Sequence, residues 1–163
     1  MERTWYTWYE SPVGPLLLAG SQAALRHVSF SAGKHGVTIE PQWTEDRNIF
    51  AEAIRQLTEY FAGERKTFRL ELDPSGTEFQ RSVWRELREI PYGETISYKQ
   101  LAERISKPKA VRAVGAANGA NPIPIIIPCH RVIGHDGSLT GFGGGLPLKK
   151  RLLELESRQL ALL

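Results

Sequence analysis

The sequence of 163 residues contains a single cysteine, Cys129, and a single methionine. One cysteine excludes an internal disulfide, and a free thiol is typical of a reducing compartment. It also excludes zinc sites built from several thiolates. The four histidines, at positions 27, 35, 130 and 135, lack the spacing of the H-E-x-x-H zinc motif. We therefore expect no resident metal and no cofactor.

Long apolar runs and a strong charge of either sign are also absent. No stretch approaches the roughly 20 apolar residues that span a bilayer, and the N-terminus lacks the apolar centre of a signal peptide. The net charge of +3 permits contact with a polyanion but does not demonstrate it. We expect a soluble cytoplasmic protein with no membrane partner.

The first part of the chain has the pattern of strands and one helix. Short apolar or aromatic segments at 4–9, 13–19 and 24–30 predict a small antiparallel sheet. Apolar residues then recur at helical spacing from Phe50 to Phe61, and Gly63 stands where a helix would end. Alternating apolar residues between 68 and 72 predict one further strand.

Turn residues at 73–76 mark the most probable boundary, and helical patterns follow it. Thr77 with Gln80, and Ser97 with Gln100, match capping boxes that begin two helices. Pro108 fits the first position of another helix, which we expect to run to about residue 118. Two short helices joined by a tight turn are typical of a helix-turn-helix.

The second helix of this pair is rich in alanine and glycine, and its only charges are Lys109 and Arg112. Small side chains allow another surface to approach the backbone closely, but they are equally consistent with tight packing in a core. Prolines make the next segment, 123–127, a predicted buried extended stretch that leads to Cys129. A glycine-rich stretch at 141–145 and a final helix opened by Pro147 complete the chain.

The surroundings of Cys129 in the sequence favour a reactive thiol. His130 and Arg131 follow it directly, and a nearby base or positive charge favours the nucleophilic thiolate. A buried cysteine is more often an inert small hydrophobe. Adjacent side chains of an extended strand also point to opposite faces, so a bend or a bridging water is needed for contact. The residues alone therefore indicate a candidate Cys/His nucleophile.

The motif Pro128-Cys129-His130-Arg131-Val132 resembles the active-site motif of the O6-alkylguanine-DNA alkyltransferases, also called methylated-DNA–protein-cysteine methyltransferases. The resemblance is strong from about residue 76 to 156 and loose before that. It is carried by the segments 76–80, 83–84, 90–93, 97–98, 101–102, 108–110, 112–115, 121–122 and 128–132, and by Lys149 and Glu156.

The resemblance implies an α+β fold in two parts. Residues 1–75 would form a small ribonuclease-H-like α/β domain with an antiparallel sheet. Residues 76–163 would form a mostly helical domain with a winged helix-turn-helix and the alkyl-accepting cysteine. It also implies a monomer acting on double-stranded DNA that contains alkylated guanine, located with the nucleoid if the source is prokaryotic.

The resemblance implies a catalytic role for each of five residues. Cys129 would take the alkyl group, usually methyl, from guanine O6 in a single irreversible turnover, with thymine O4 as a secondary substrate. His130 would act as base on the thiol through a water, oriented by Glu156. Asn121 would hydrogen-bond the backbone near the active-site turn. Tyr98 would lie near the flipped nucleotide and donate a proton to the leaving guanine.

The resemblance further implies a DNA-binding surface and a substrate pocket. Arg112 would fill the gap left by the flipped nucleotide, and the small residues around it would let the helix enter the minor groove. The expected DNA-binding residues are Arg112, Lys109, Ala113, Gly115, Ala116 and Arg131. The expected substrate pocket contains Val132, Phe142, Gly143 and Lys149.

This chain departs from the family pattern at three positions. Phe142 stands where some members have tyrosine, and Gly143 where some have serine, so contacts from those hydroxyl groups are lost. Gly119 replaces a basic residue of some relatives, which removes a possible phosphate contact. The zinc ligands of some animal members are not present as a set, which agrees with the expectation of no metal.

Three other functions are alternatives to alkyl transfer. A non-catalytic sensor of alkylated DNA would lack the cysteine at position 129. A cysteine hydrolase would need an oxyanion hole, for which the sequence has no separate signature. The third is a structural DNA-binding domain with a buried inert thiol.

Overall fold

The computed structural model describes residues 3–30, 37–142 and 145–161. Strands occupy the first third of the chain, and helices dominate the rest, as the α+β prediction requires. The elements, in chain order, are β1 (Trp5–Ser11), β2 (Gly14–Gly20), β3 (Leu25–Phe30), β4 (Thr44–Glu45), α1 (Ala51–Phe61), α2 (Glu78–Leu87), β5 (Ile96–Ser97), α3 (Tyr98–Arg104), α4 (Val111–Gly119), β6 (Val132–Ile133) and α5 (Leu146–Ala161).

The N-terminal sheet has the strand order β3-β2-β1-β4. Strands β1, β2 and β3 pair antiparallel, as the apolar segments predicted. Strand β4 was not expected, and its two residues pair with β1 in parallel. The central strand β2 is buried from Leu16 to Ala19, so its side chains form much of the core at this end of the molecule.

Helix α1 follows the sheet and ends where the sequence predicted. Gly63 has a φ of 77°, a left-handed conformation that glycine adopts without the steric cost of a Cβ. The strand predicted at 68–72 is wrong apart from a single bridge between Leu72 and Leu25. At this bridge the Leu25 amide donates to the Glu71 carbonyl and the Asp73 amide donates to the Leu25 carbonyl, both at 2.9 Å. At Arg69 the backbone is bound instead by the Gln56 side chain, which donates to the Arg69 carbonyl and accepts from the Arg69 amide.

Helices α2 and α3 both begin with the predicted capping boxes, and each box has both of its hydrogen bonds. Helices α3 and α4 form the helix-turn-helix. Helix α4 begins at Val111, three residues later than predicted, because Lys107–Ala110 forms a turn closed by the Ala110 amide and the Lys107 carbonyl. The Trp84 indole donates to the Ala117 carbonyl at 2.8 Å and so fastens α2 to α4.

The N-terminal half packs directly on the half that carries Cys129. The Val28 amide in β3 donates to the Pro122 carbonyl at 2.9 Å. The rings of Phe30 and Phe142 lie 5.7 Å apart. Buried apolar residues of both halves belong to one continuous core. Among the residues that the structure describes, no helix is both long and apolar enough to cross a membrane.

The Ser97 capping box predicts a measurable contribution to stability. Ser97→Ala removes the side-chain acceptor for the Gln100 amide at the start of α3, so the free energy of unfolding should fall by about 1 kcal/mol. Chemical denaturation monitored by circular dichroism measures this change. Ser82→Ala is the matched control, because Ser82 bonds a carbonyl within α2 and alanine favours helix there. An equal loss in both variants would contradict the capping role.

Candidate active site

Cys129 lies on a short 3₁₀ turn, Cys129–Arg131, immediately before β6. The Cys129 amide donates to the Ile127 carbonyl at 2.8 Å, and the Arg131 amide donates to the Pro128 carbonyl at 3.1 Å. Successive side chains of a 3₁₀ helix are about 120° apart, unlike those of a strand. The turn therefore supplies the bend that a Cys129–His130 pair requires.

The segment that leads to this turn is buried, as predicted, but it is not extended. The Ile127 amide folds back to the Ile123 carbonyl at 2.9 Å. Asn121 determines this shape, since its amide donates to the Ile127 carbonyl and its oxygen accepts from the Ile123 amide. Ile125 has a φ of 75°, a strained conformation for a β-branched residue, held at this position by the surrounding bonds.

The carboxylate of Glu156, on α5, is the centre of a buried polar network. Glu156 is 1% exposed and His130 is fully buried. One carboxylate oxygen accepts from His130 Nε2 at 2.7 Å, and Arg131 binds both oxygens at 2.9 and 3.0 Å. The Tyr60 hydroxyl donates to Glu156 at 2.7 Å and the Gly93 amide at 3.2 Å. Burial would raise the pKa of Glu156, but the hydrogen bonds and charges of His130 and Arg131 hold it well below its usual range.

This network fixes the tautomer of His130. Because Nε2 donates to an ionised carboxylate, a neutral imidazole has its free lone pair on Nδ1. Nδ1 is buried and has no hydrogen-bond partner among the described residues. Burial lowers the pKa of His130 more than Glu156 raises it, and Arg131 and Lys149 lower it further. The ring is therefore neutral near pH 7, with Nδ1 able to accept a proton.

The Cys129 thiol is 5% exposed, and its burial raises its pKa to about 11. A hydrogen bond from the Asn121 side chain and the positive charge of Lys149 oppose this increase. Lys149 is itself fully buried, and burial lowers its pKa to about 8. Its ammonium group donates to the carbonyls of Val132 and Thr140, at 2.6 and 2.8 Å. A fixed cation thus lies where it favours the thiolate.

A cavity of about 550 Å³ opens beside Cys129. This volume lies within the range of small-molecule sites. Its walls come from β3, from residues 116–124 at and beyond the end of α4, and from Gly141 and Phe142. The cavity therefore lies between the two halves of the chain, with Cys129 in its lining.

The predicted pocket residues are distributed around this cavity in different ways. Phe142 lines it, whereas Val132 and Lys149 are buried behind Cys129 and support the active-site turn. Gly143 lies outside the described residues. The hydroxyl of Tyr98 donates to the Thr140 carbonyl at 3.1 Å, and its ring remains partly exposed near Gly141.

The predicted DNA-binding residues of α4 lie mostly on an exposed face. Lys109, Arg112, Ala113 and Ala116 are exposed. Neither Lys109 nor Arg112 makes a salt bridge to any residue within 3–30, 37–142 or 145–161, so both cations are open to solvent. Gly115 is half-buried, and a Cβ placed on it would lie 3.8 Å from the Tyr98 ring.

The prediction that Arg131 binds DNA is wrong for this structure. Arg131 is 6% exposed, and its guanidinium is taken by both oxygens of Glu156 and by the Ile90 carbonyl at 2.7 Å. The central carbon of its guanidinium lies 5.6 Å from the centroid of the Tyr92 ring. Because removing a buried guanidinium from its carboxylate would be costly, this arginine supports the active site and is not a DNA contact.

Two residues of the site escaped the sequence analysis. Tyr60 is separated from Glu156 by 96 positions and occupies an apolar position of α1, so no local signal marked it. Asn118 is buried, lines the cavity and donates to the Cys129 carbonyl at 3.4 Å. The sequence feature that could have identified Asn118 is a single polar side chain within a run of alanine and glycine residues. No group of three or more metal-binding side chains occurs in the described part of the chain.

The buried neutral His130 predicts that stability falls as the pH falls. Its pKa is lowered from 6.5 in the fold, so below about pH 6.5 the unfolded state binds a proton that the folded state does not. The free energy of unfolding should decrease from pH 7.5 to 5, and this slope should be shallower in His130→Gln. The exposed His135→Gln is the control, and denaturant titrations measure the slopes. An unchanged slope in His130→Gln would contradict a buried neutral His130.

Two protein-family models match the chain. Residues 4–74 match the ribonuclease-like domain of 6-O-methylguanine DNA methyltransferase, and residues 78–158 match its DNA-binding domain. A methylated-DNA–protein-cysteine methyltransferase of Methanosarcina barkeri is 54% identical over 156 residues, covering 96% of this chain and 99% of the relative. The namesake from Mycobacterium leprae is 52% identical, covering 93% and 91%.

Solved structures give the same result. A Mycobacterium tuberculosis protein in complex with DNA superposes with a TM-score of 0.89 at 50% identity, covering 95% of this chain and 94% of that one. The O6-methylguanine methyltransferase of the same organism gives 0.87 at 49%, covering 98% of both chains. With this identity over nearly its whole length, the chain belongs to the 6-O-methylguanine DNA methyltransferase family.

Proposed function

We propose that this protein repairs DNA by transferring the methyl or another alkyl group from guanine O6 to Cys129. The observation that carries the proposal is the position of the lone thiol, in the wall of a cavity and next in the chain to a histidine held by Glu156. Family membership supplies the substrate, alkylated guanine in double-stranded DNA. Thymine O4 is the secondary substrate of the same site in this proposal.

The reaction is a displacement in which one bond replaces another. His130 Nδ1 accepts the thiol proton through a bridging water, and the sulfur attacks the alkyl carbon. The carbon–sulfur bond forms as the carbon–O6 bond breaks, and Tyr98 donates a proton to the departing guanine. The His130 imidazolium then releases the thiol proton to solvent, and the Tyr98 phenolate takes one up, so both residues return to their starting states. The net products are a thioether on Cys129 and normal guanine.

The charges of the site support formation of the thiolate. Unaided, burial holds the thiol protonated near pH 7. Lys149 and the Asn121 amide stabilise the sulfur anion, and His130, neutral at this pH, takes its proton. The imidazolium that results lies against Glu156, whose ionised carboxylate stabilises it as in other nucleophile–base–orienter arrangements. Because the described site contains no second nucleophile to break the thioether, we infer one turnover per chain.

Access to the alkylated atom requires the nucleotide to leave the base stack, at a cost of a few kcal/mol. The exposed face of α4 supports this step, since Ala113 and Ala116 leave room for a close approach of DNA. Arg112 lies on the same face with a free guanidinium and would fill the gap in the duplex. Lys109 would bind the neighbouring phosphates.

The cavity supports acceptance of groups larger than methyl, because 550 Å³ is much more than one carbon requires. We further propose a boundary near 75, so that residues 1–75 and 76–163 are two domains sharing one core. A monomer is sufficient for the chemistry, since both halves of the site come from one chain. The nucleoid or cytoplasm is the expected location.

The central test maps the transferred group. The protein is incubated with duplex DNA carrying radiolabelled methyl at guanine O6, then digested, and the labelled peptide is identified. We expect label on Cys129 at no more than one per chain, and none in Cys129→Ser. Label on another residue, or release of methyl as a free product, would overturn the proposal, and complete absence of transfer would favour a structural DNA-binding protein.

The flipping role of Arg112 is tested by comparing two substrates. Arg112→Ala should slow repair of duplex DNA about ten-fold or more, because the gap in the stack loses its filler. Reaction with free O6-methylguanine base should be nearly unchanged, since no flipping is needed. Arg55→Ala removes one positive charge from α1 and is the control for net charge. Single-turnover kinetics measures all rates, and an equal loss on both substrates would count against flipping.

A further inference from the structure

We propose that Tyr60, contributed by α1 of the N-terminal half, is a positioning residue that sets the proton affinity of the Glu156–His130 pair. This inference rests on the proposed function, in which His130 removes the thiol proton. It gives the N-terminal half a part in the chemistry beyond packing. The site that accepts the alkyl group would then be incomplete without the first third of the chain.

The Tyr60 hydroxyl bonds the same carboxylate oxygen of Glu156 as His130 does. It donates to Glu156 Oε2 at 2.7 Å, and His130 Nε2 donates to the same oxygen at 2.7 Å. Arg131 Nη2 also reaches this oxygen, at 3.0 Å. Three donors therefore share one carboxylate oxygen, and each reduces the negative charge that the other two experience. Tyr60 thus competes directly with His130 for Glu156.

The phenol is held in place by packing that does not involve its hydroxyl. Tyr60 has no exposed surface. Its ring contacts the rings of Phe61, Phe68 and Tyr92, with centroids 5.3, 5.5 and 6.2 Å away. Because these contacts survive the loss of one oxygen atom, Tyr60→Phe removes the hydrogen bond while leaving the ring environment intact.

The expected direction follows from the charges. Burial and the negative charge of Glu156 raise the pKa of Tyr60 well above its usual value, so the hydroxyl stays protonated and acts only as a donor. Without it, Oε2 holds more negative charge, and the His130 proton binds more tightly. The pKa of His130 should therefore rise, and less of the histidine should be neutral and able to accept the thiol proton.

Several other charged and titratable groups lie around the Glu156–His130 pair. Lys149 acts on His130 from α5, and Arg131 acts from the active-site turn itself. Tyr92 faces Glu156 from the loop after α2, and Lys66 lies 5.9 Å from the Tyr92 ring. Cys129 is the reacting group. None of these side chains is altered by a change at Tyr60.

The experiment measures the single-turnover rate of methyl transfer from free O6-methylguanine against pH. In Tyr60→Phe the acid limb of the profile should move up by about one pH unit, so that at pH values below both limbs the rate is about ten-fold lower than in wild type. The alkaline plateau should stay within about two-fold of wild type. Free base is the substrate, so that no effect on DNA binding enters.

Tyr9→Phe is the matched control. Tyr9 is also buried, and its hydroxyl is 3.0 Å from Thr58 Oγ1 on the same helix, but it does not touch Glu156. Each variant loses the one side-chain hydrogen bond of a buried tyrosine, although the Tyr9 bond is only partly buried. Both should therefore lose stability, whereas only Tyr60→Phe should move the acid limb. Coincident acid limbs in the two variants would overturn the inference.

Replacement of Tyr60 by 3-fluorotyrosine provides a test with the opposite sign. The fluorinated phenol is a stronger donor of nearly the same size, so the acid limb should move to lower pH even if Tyr60→Phe folds poorly. An unmoved limb would contradict the inference. Failure of the wild-type protein to methylate Cys129 would instead overturn the proposed function, so the two failures are distinguishable.

Discussion

A buried carboxylate that must be fully hydrogen-bonded is the constraint on which the rest of the site depends. Glu156 is almost inaccessible to water and receives five hydrogen bonds from the described part of the chain, one each from Tyr60, Gly93 and His130 and two from Arg131. A buried charge is tolerated only when it is paired in this way. Loss of one donor leaves the buried carboxylate with too few hydrogen bonds. Because the donors come from α1, the loop after α2 and the active-site turn, these elements must assemble around Glu156 on α5.

This requirement explains why Arg131 cannot serve two purposes. Burial is the main cause that lowers the pKa of His130, and the positive charge of Arg131, which pairs with Glu156, lowers it further. A histidine facing an unpaired carboxylate would have a raised pKa and would be a poor base near pH 7. The proposed base, His130, therefore depends on the arginine beside it, and the exposed cations of α4 remain available to contact DNA.

The fold protects the thiol of Cys129 from solvent. Burial keeps the thiol protonated, while Lys149 and Asn121 lie ready to stabilise the anion once its proton leaves. Under the proposed single turnover, such protection is useful, because reaction with a stray electrophile would end the activity. The same backbone that positions the thiol is strained at Ile125 and folded back by Asn121, so the active-site turn is fixed before any substrate arrives.

The sequence by itself determined the elements whose causes are local. Both capping boxes, the end of α1 at Gly63 and the three antiparallel strands follow from residues close together in the chain, and the motif around Cys129 identified the family. Tertiary structure alone decided the rest. At 68–72 the Gln56 side chain binds the backbone of Arg69, and the side chain of Arg131 turns inward and binds Glu156. The sequence did not predict these contacts, because the partners lie more than ten positions apart in the chain. The place of Tyr60 in the site could not be predicted either, since a contact between residues 96 positions apart produces no local pattern in the sequence.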